Sequence, residues 1–327
     1  MSIPSRILIT GCTGFVGIHL VEQCRKRYPH AQLFGITGHK TLQTDTPGMS
    51  DVKIWVADMT LPEATRQVVA MSQPDLIIHL AAQSSVSVSW KDPLGTLDVN
   101  AGGVIHLLEA VRSEKITPRV VLVGSGEQYG IVHPEDIPIR EECLFRPVNP
   151  YAVSKVTQDL YGYQYFVAYG LPILRARPFN HFGPRQTSTF VIANFARQIA
   201  LIEAARTEPV LSVGNLEVWR DFLPVDDVVA AYLAIAEQGK PGEAYNIGSG
   251  QARSIKEILD LLLSFARVPI QLREDPARLR PIDVPLLKAD TSRLRTDTHW
   301  KPVVQFEFAL LQTLDYWRTV VNSERHQ

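Results

Sequence analysis

The sequence predicts an α/β fold: a doubly wound parallel sheet that carries a smaller, mostly helical lobe. Over the first half of the chain, short apolar runs rich in branched residues alternate with segments of helical periodicity. The apolar runs lack the alternation of a half-exposed strand, as is typical of strands that helices cover on both faces of a parallel sheet. After about residue 178 this rhythm changes, and 327 residues are enough for a second structural unit.

The first predicted element is a strand at Arg6–Thr10, followed by a glycine-rich turn and a helix with Val16, Leu20 and Cys24 at helical spacing. The same order recurs along the chain. Further strands are predicted at residues 32–36, 53–57, 75–80, 119–124 and 172–176. Helices are predicted from Pro62, at residues 103–111 and at residues 151–169.

The lobe that follows is predicted to be mainly helical. Its first elements are a helix at residues 190–205 and a short strand at Val210–Val213. Ser254 and Glu257 have the spacing of a capping box, which opens an amphipathic helix that runs through Phe265.

The boundary between the two units is not a simple division of the chain. A predicted helix at residues 226–236 and a predicted strand at Ala244–Ile247 have the character of the sheet elements. We therefore predict a sheet domain at residues 1–177, rejoined by residues 221–247, and a lobe made mainly of residues 178–327.

The composition excludes several functional classes. Lys and Arg total 33 against 34 Asp and Glu, so no overall charge draws the chain to nucleic acid or to an anionic membrane. The three cysteines, Cys12, Cys24 and Cys143, lack the spacing of a disulfide framework or a zinc site, and no metal site is predicted. Neither a secretory leader nor an apolar segment of membrane-spanning length is evident, so we expect a cytoplasmic protein.

A glycine-rich turn lies between the first strand and the first helix, where Gly11, Gly14 and Gly17 form a G-x-x-G-x-x-G pattern. Where side chains are missing, backbone N–H groups and the helix dipole can meet a pyrophosphate. A tight turn between strand and helix could also need these glycines for packing alone. The position directly after the first strand favours dinucleotide binding.

The residues that close the second strand bear on the choice between NAD and NADP. An acidic residue there would bind the ribose 2′-hydroxyl of NAD, but residues 36–40 contain none. His39 and Lys40 are potential partners of a 2′-phosphate, which favours NADP(H), although both could be ordinary loop residues. Asp58, just past the third strand, could accept from the adenine amino group or could cap the helix entered at Pro62.

Tyr151 and Lys155 stand four residues apart at the start of a predicted helix, so both side chains project from one face. An adjacent ammonium helps a phenol to exchange its proton near neutral pH, although an isolated pair of this spacing could be a solvated helical face. Ser125 and Glu127 follow the strand predicted at residues 119–124, at the carboxyl edge of the sheet, where α/β folds bind ligands. By themselves they could belong to an ordinary loop.

Taken together, these motifs resemble the extended short-chain dehydrogenase/reductase family, in the same order and spacing and over nearly the whole chain. The resemblance is carried by the glycine turn, Asp58, residues 79–82, Asn100, Ser125, Tyr151 and Lys155. Within that family, the chain most resembles enzymes of GDP-deoxyhexose synthesis. Four segments resemble the parts of those enzymes that bind the sugar nucleotide: residues 177–184, 213–217, 220–222 and 279–284.

The resemblance implies a role for each matching residue. Ser125, Tyr151 and Lys155 would be the catalytic triad, and Glu127 would be a base or a hydroxyl acceptor. The implied cofactor-binding residues, besides Tyr151 and Lys155, are Gly11, Thr13, Gly14, Phe15, Val16, Gly17, Asp58, Met59, Leu80, Ala81, Ala82 and Asn100. The implied substrate-binding residues, besides Ser125 and Glu127, are Ser85, Asn180, Arg185, Arg220, Arg280 and Asp283. Each of these arginines could equally form a surface ion pair.

The resemblance also implies an activity: NADP(H)-dependent reduction of the 4-keto group of a GDP-6-deoxyhexose, giving GDP-D-rhamnose from a GDP-sugar substrate. One alternative is dehydration of GDP-mannose with tightly bound NADP, in which Glu127 would remove a ring proton. A remoter alternative is a nucleotide-binding protein without catalysis. The loop at residues 10–14 differs from the usual first loop of the dehydratases, which favours the reductase, and Gly126 lacks the hydroxyl often found beside the carboxylate.

Members of the family often form homodimers, and we expect one here. The predicted helix at residues 151–169 is rich in aromatic side chains. Together they present more apolar surface than a single core would bury.

Overall fold

The computed structural model describes residues 3–38, 48–278 and 284–324. Strands and helices alternate along the first part of the chain. The strands are β1 (Arg6–Thr10), β2 (Gln32–Thr37), β3 (Lys53–Val56), β4 (Leu76–His79), β5 (Arg119–Val123), β6 (Ile173–Pro178), β7 (Asn180–Phe182), β8 (Val210–Val213), β9 (Trp219–Pro224), β10 (Ala244–Ile247), β11 (Ala252–Ser254), β12 (Gln271–Glu274) and β13 (Leu286–Leu287). The helices are α1 (Phe15–Arg27), α2 (Pro62–Ser72), α3 (Val86–Lys91), α4 (Pro93–Leu97), α5 (Gly103–Ser113), α6 (Pro150–Tyr169), α7 (Val191–Glu203), α8 (Val225–Gln238), α9 (Ile255–Ser264), α10 (Ser292–Thr298) and α11 (Phe306–Ser323).

The central sheet has both faces covered by helices. Within the described residues it contains seven parallel strands in the order β10-β6-β5-β4-β1-β2-β3. Ile7 and Ile9 of β1 share one core with residues of α1 and α8, whereas Leu8 shares another with residues of α2 and α5. Burial on both faces explains why the apolar runs show no alternation. The structure therefore confirms the predicted doubly wound parallel sheet.

The strand order reverses between β1 and β4. From β1 the chain proceeds outward to β2 and β3, and from β4 it proceeds outward in the opposite direction through β5 and β6. The crevice outside the carboxyl ends of the strands at such a reversal is the usual ligand site of this architecture. At the far edge, β10 pairs in parallel with β6, and α8 packs on the sheet beside α1.

A separate core lies in the lobe, where α7, α9 and α11 pack together. The described part of this lobe also contains two smaller sheets, one in which β9 pairs with β7, β11 and β13, and one in which β8 pairs with β12. The sequence predicts α7, β8 and α9 but not α10, α11 or most of these strands. None of the strands that were not predicted forms an apolar run like those of the central sheet: β7, β11 and β13 have only two or three residues, β12 is exposed throughout, and β9 contains Arg220 and Asp221.

Helix α6, which carries Tyr151 and Lys155, has clear sequence signals at both ends. Asn149 is the N-cap residue, and its side-chain oxygen accepts from the N–H of Ala152 at 2.8 Å. Gly170 ends the helix in the left-handed conformation, with φ of +67°. The first turn of α6 therefore holds Tyr151 at the carboxyl edge of the sheet.

Among the helices of the described residues, none has the combination of length and apolarity that crossing a membrane requires.

Candidate active site

The turn between β1 and α1 requires glycine at two positions. Gly11 has φ of +69°, and a Cβ there would lie 3.0 Å from the backbone nitrogen of Ala81. A Cβ on Gly17 would lie 2.3 Å from the carbonyl oxygen of Gly11, closer than real contacts allow. The N–H of Gly11 donates to the carbonyl of Ile36 at 2.8 Å. The turn is thereby tied to β2 and lies at the strand reversal.

Helix α1 begins at this turn with backbone N–H groups that suit an anion. Its N-cap residue, Gly14, offers no side-chain acceptor, and its first turn contains no acidic residue. Free N–H groups and the positive end of the helix dipole attract a phosphate. Thr13 is hydrogen-bonded through its hydroxyl to that of Thr37 at 2.8 Å, and Val16 is half-buried against the sheet core. This cradle of glycine backbone and helix N-terminus fits the pyrophosphate of a dinucleotide.

The same helix contacts the segment that follows β6. The ring of Phe15 stacks on that of His181, with centroids 6.0 Å apart and an interplanar angle of 8°. His19 lies with Nε2 3.1 Å from the carbonyl oxygen of Pro184 and with Nδ1 3.2 Å from a carboxylate oxygen of Asp226. The helix at the pyrophosphate cradle is therefore joined to the lobe.

Asp58 lies just past β3, with its carboxylate exposed at that edge of the sheet. It accepts from the N–H and the hydroxyl of Thr60 at 2.9 and 2.7 Å, and these hydrogen bonds hold the pKa of Asp58 below its ordinary value. The alternative that Asp58 caps α2 is wrong, because Leu61 is the N-cap residue of that helix. His39 and Lys40, on which the expectation of NADP(H) depends, lie outside the described residues.

The segment after β4 forms one wall of the crevice. Leu80, Ala81 and Ala82 are half-buried. The backbone N–H groups of Leu80 and Ala81 both donate to the hydroxyl of Thr10, at 3.1 Å each, which fixes the segment to the end of β1. Met59 is buried nearby in the core that covers this face of the sheet.

Asn100 lies in a π-helical turn, Asp98–Gly102, between α4 and α5, and is fully buried. Its side-chain oxygen accepts from the N–H of Gln83 at 2.8 Å, and its side-chain nitrogen donates to the carbonyl of Gln83 at 3.1 Å and to the hydroxyl of Ser154 at 2.8 Å. Asn100 therefore ties the segment after β4 to α6. Ser85 is the N-cap residue of α3 and accepts from a backbone N–H of that helix at 3.3 Å.

Two hydroxyl groups meet where α6 begins and β5 ends. The side chains of Tyr151 and Ser125 are hydrogen-bonded to each other. Burial raises the pKa of Tyr151 to about 12, although the hydrogen bond from Ser125 opposes the rise. At neutral pH the phenol therefore keeps its proton. Such a group in a crevice can act as a general acid.

Lys155 lies one helical turn further along α6 and is 3% exposed. Its ammonium donates to the carbonyl of Val123 and to the side-chain oxygen of Gln158, each at 2.9 Å. Burial lowers the pKa of Lys155 to about 7. Gln158 was not among the residues predicted from the sequence, although its place three residues after Lys155 on one helical face is a usable signal.

The loop after β5 is held in place by its own hydrogen bonds. The N–H of Ser125 donates to the side chain of Gln128 at 2.7 Å, as half of a capping box on a short 3₁₀ turn. A Cβ on Gly126 would lie 2.9 Å from the ring of Phe179. The absence of a hydroxyl at this position therefore has a steric reason.

Glu127, the other candidate of this loop, is half-buried. One carboxylate oxygen accepts from the side-chain nitrogen of Asn149 at 3.5 Å. This distance is longer than the roughly 2.7–3.2 Å of an ordinary N–H···O hydrogen bond. After burial, the negative charge of Glu127 also contributes to the raised pKa of Tyr151. A loosely held carboxylate beside the Tyr151 hydroxyl can accept a proton or a hydrogen bond from a sugar.

On the lobe side of the crevice lie Asn180 and Arg185. Asn180 is half-buried in β7, where it pairs with Phe222 of β9. Arg185 is half-buried and has φ of +73°, a left-handed conformation that is uncommon for a residue with a side chain. Within the described part of the chain, Arg185 forms no ion pair.

Arg220 is buried, with 5% of its surface exposed. Its guanidinium donates to the carbonyl oxygens of Val284 and Trp219 at 2.6 and 2.9 Å. The burial of Arg220 therefore excludes the alternative of an ion pair at the surface. Arg280 and Asp283 lie outside the described residues.

A buried ion-pair network that was not predicted from the sequence supports the site. Asp159, 2% exposed, accepts from Arg177 at 2.9 Å and from Arg175 at 2.7 Å. Arg177 also donates to the hydroxyl of Tyr129 at 2.8 Å, and that hydroxyl donates to the side chain of Asn246 at 2.7 Å. Burial alone would raise the pKa of Asp159, but the two guanidinium groups hold it below its ordinary value. The network joins α6, β6, β10 and the loop after β5.

Comparison with known proteins shows similarity over nearly the whole chain. A family model for GDP-mannose 4,6 dehydratase matches residues 8–313. GDP-6-deoxy-D-mannose reductase of Pseudomonas aeruginosa is 36% identical over 320 residues, which cover 98% of this chain and 99% of that protein. GDP-mannose 4,6 dehydratase 2 of Arabidopsis thaliana is 32% identical over 330 residues, which cover 95% of this chain and 87% of that protein.

Solved structures are also similar over nearly the whole chain. The structure of RMD from Pseudomonas aeruginosa complexed with NADPH has a TM-score of 0.83 and 33% identity, and the match covers 97% of this chain and 100% of that chain. UDP-glucose 4-epimerase from Thermus thermophilus in complex with NAD has a TM-score of 0.85 and 28% identity, covering 96% and 99%. The similarity therefore includes both the sheet and the lobe.

Proposed function

Because the chain belongs to the GDP-mannose 4,6-dehydratase family of extended short-chain dehydrogenases/reductases, we propose that it reduces the 4-keto group of GDP-4-keto-6-deoxy-D-mannose with NADPH, giving GDP-D-rhamnose. The observation that carries the proposal is the end-to-end similarity to GDP-6-deoxy-D-mannose reductase of Pseudomonas aeruginosa. The site is consistent with it, since a protonated phenol lies beside a second hydroxyl at the carboxyl edge of the sheet.

Reduction of a ketone adds a hydride to the carbon and a proton to the oxygen. When bound, NADPH supplies the hydride. Tyr151 is the proposed proton donor, because burial keeps its phenol protonated, and Ser125 can donate a hydrogen bond to the same oxygen. Proton loss leaves a phenolate, which the Lys155 ammonium stabilises until solvent restores the proton.

The proposed NADP(H) site is the crevice at the strand reversal. The glycine turn and the N-terminus of α1 would hold the pyrophosphate. Asp58 would accept from the adenine, and Lys155 would hold the nicotinamide ribose. The remaining residues proposed to line this site are Thr13, Phe15, Val16, Met59, Leu80, Ala81, Ala82 and Asn100.

The proposed GDP-sugar site lies between the sheet and the lobe. Arg185 is the strongest candidate for the diphosphate, since it forms no ion pair within the described residues and a guanidinium pairs bidentately with phosphate oxygens. The other residues proposed to contact the sugar nucleotide are Ser85, Glu127, Asn180, Arg220, Arg280 and Asp283.

A second candidate function is the dehydration of GDP-mannose. It is favoured by the matching family model and by Glu127, whose carboxylate lies on the loop of Ser125 and could remove a sugar ring proton. The two reactions differ in the fate of the cofactor. A reductase consumes one NADPH in each turnover, whereas a dehydratase regenerates its bound NADP.

The decisive experiment measures NADPH consumption by the purified protein. With GDP-4-keto-6-deoxy-D-mannose we expect sustained oxidation of NADPH, matched mole for mole by GDP-D-rhamnose. Glu127→Gln should retain most of this activity, since Tyr151 is the proposed acid. Conversion of GDP-mannose to the keto-sugar without added reductant would instead establish the dehydratase.

We further propose that the protein is a homodimer in the cytoplasm. The groove between α4 and α6 is lined by exposed apolar side chains: Leu94 is 78% exposed, and Leu97 and Tyr161 are each 38% exposed. Such a patch is typical of a subunit contact, and a second copy of the chain is its proposed occupant. The described cysteines are all free thiols, which favours a reducing compartment.

A further inference from the structure

Lys155, Gln158 and the carbonyl group of Val123 form a closed, buried triangle. The Lys155 ammonium donates to the Gln158 side-chain oxygen and to the Val123 carbonyl, and the Gln158 side-chain nitrogen donates to that carbonyl, at 2.9 Å in each case. Gln158 is 0% exposed. Because an ammonium can only donate, the amide must turn its oxygen towards Lys155 and its nitrogen towards Val123.

The triangle leaves part of the ammonium available. An ammonium carries three N–H groups, and two of them are taken by Gln158 and Val123. None of the described residues accepts the third. Since Val123 is the last residue of β5, the triangle also fixes the strand end from which Ser125 projects.

We propose that Gln158 is a positioning residue of the reaction: its amide oxygen keeps the Lys155 ammonium protonated and directs the remaining N–H group towards the ribose of NADP(H). The inference rests on the proposed function, in which Lys155 contacts that ribose and supports Tyr151. Gln158 acts through Lys155.

The charges around Lys155 explain why the neutral amide of Gln158 can keep the ammonium protonated. No carboxylate of the described residues lies within ion-pair distance of Lys155. Asp159, on the next turn of α6, is occupied by Arg175 and Arg177 of β6. The amide of Gln158 is therefore the side-chain acceptor that stabilises the charged form of Lys155.

Two further titratable groups face this region from other elements. His79 at the end of β4 is buried, and burial lowers its pKa to about 3, so it is neutral and supplies no counter-charge. Glu127, after β5, acts on Tyr151. Burial lowers the pKa of Lys155 to about 7, so a change of acceptor alters its protonated fraction at working pH.

Two substitutions change the acceptor in opposite senses. Gln158→Met keeps the shape but removes the oxygen, so Lys155 should lose its proton at lower pH. Gln158→Glu adds a negative charge, so Lys155 should keep its proton to higher pH. We expect the alkaline limb of kcat/KM for the keto-sugar to move down by about one pH unit in the first variant and up by about one in the second.

A second readout needs no sugar. The dissociation constant of NADPH, followed by fluorescence across the same pH range, should rise as Lys155 loses its proton. This rise should move to lower pH in Gln158→Met and to higher pH in Gln158→Glu. If the unaltered protein binds NADPH but does not reduce the keto-sugar, the proposed function fails and the binding limbs still test Gln158. Gln164→Met and Gln164→Glu, at an exposed position of the same helix, are the matched controls and should leave both limbs in place.

Reduced turnover with both limbs unmoved would show a merely structural role and overturn the proposal. Limbs that move in the same direction in both variants would also overturn it. If Gln158→Met fails to fold, the nearly isosteric Gln158→Glu decides alone by the presence or absence of an upward shift.

Discussion

At the scale of single residues, the proton on Tyr151 is controlled by burial more than by any partner. Removing the phenol from water disfavours the phenolate, and the hydrogen bond from Ser125 compensates only in part. In the ground state the residue is therefore an acid with a proton to give. The sequence shows Tyr151 and Lys155 on one helical face, but it does not show how deeply each side chain is buried.

Tyr151→Phe should leave the fold and NADPH binding intact and lower turnover at least about 100-fold, because the variant removes only the acidic hydroxyl. Steady-state NADPH oxidation measures the loss, and circular dichroism checks the fold. Tyr163→Phe, a like change at an exposed position of the same helix, should keep full activity. Near-normal turnover in Tyr151→Phe would remove this residue from the mechanism.

Gly38 offers a clean test of cofactor choice. It is exposed directly after β2, and a Cβ built there meets no described atom within 4 Å. Gly38→Asp should therefore fold normally and shift preference from NADP(H) towards NAD(H), since its carboxylate would repel a 2′-phosphate and accept from a 2′-hydroxyl.

The measurement is the ratio of the dissociation constants of NADPH and NADH. Gly38→Asn, which has the same shape without the charge, is the control and should shift the ratio much less. Tighter binding of NADH by the unaltered protein would show that the expectation of NADP(H) is wrong.

At the scale of secondary-structure elements, the site depends on how α6 is fixed to the sheet. Asp159 of α6 holds Arg175 and Arg177 of β6, and Arg177 reaches Tyr129 on the loop after β5. One carboxylate therefore aligns the helix of Tyr151 with the loop of Ser125.

Asp159→Ala should lower the free energy of unfolding by about 3–5 kcal/mol, because it leaves two guanidinium groups without their buried counter-charge. Urea unfolding measures the change. Asp260→Ala, which breaks the exposed pair with Lys256, should leave the unfolding midpoint almost unchanged. A loss below about 1 kcal/mol in Asp159→Ala would mean that the network contributes little to stability.

The same carboxylate gives a pH dependence of defined sign. The folded-state pKa of Asp159 lies below its unfolded value, so its contribution is fully present above the unfolded pKa of about 3.9 and is lost as the pH falls towards the folded value. The stability difference between the unaltered protein and Asp159→Asn should therefore narrow below about pH 4.

The elements that the sequence predicts well are those with a long or repeated signal. The strands of the central sheet, α1 and α6 follow from apolar runs, glycines and caps. Helix α11 was missed although Leu310, Leu314, Trp317 and Val321 recur at helical spacing on its buried face. The small lobe strands, the orientation of Gln158 and the Asp159 network were not predictable, because they depend on contacts between segments distant in sequence.

At the scale of the whole molecule, the exposed apolar groove between α4 and α6 is the proposed contact surface for a second copy of the chain. It adjoins the helix of Tyr151, so a contact there would also restrain the site. With 33 basic and 34 acidic residues the formal net charge of the chain is −1, so electrostatic repulsion between two copies is weak.

Light scattering coupled to size exclusion should give twice the mass of one chain for the unaltered protein. Leu94→Glu combined with Tyr161→Glu should give a monomer, since charges in an apolar contact are costly to bury. Val303→Glu, at a separate side chain that is 74% exposed, should leave the mass unchanged. A monomeric unaltered protein at all concentrations would refute the homodimer.

The position of β10 at the edge of the sheet has a consequence for synthesis on the ribosome. The other six described strands of the sheet are complete once residue 178 has been made, but β10, which covers the edge of β6, ends at Ile247. At about 5–20 residues per second, the edge of β6 stays uncovered for several seconds while the intervening segment is translated. During that interval the nascent chain carries unpaired backbone N–H and C=O groups, and the exit of residues 244–247 from the ribosome is the event that ends this exposure.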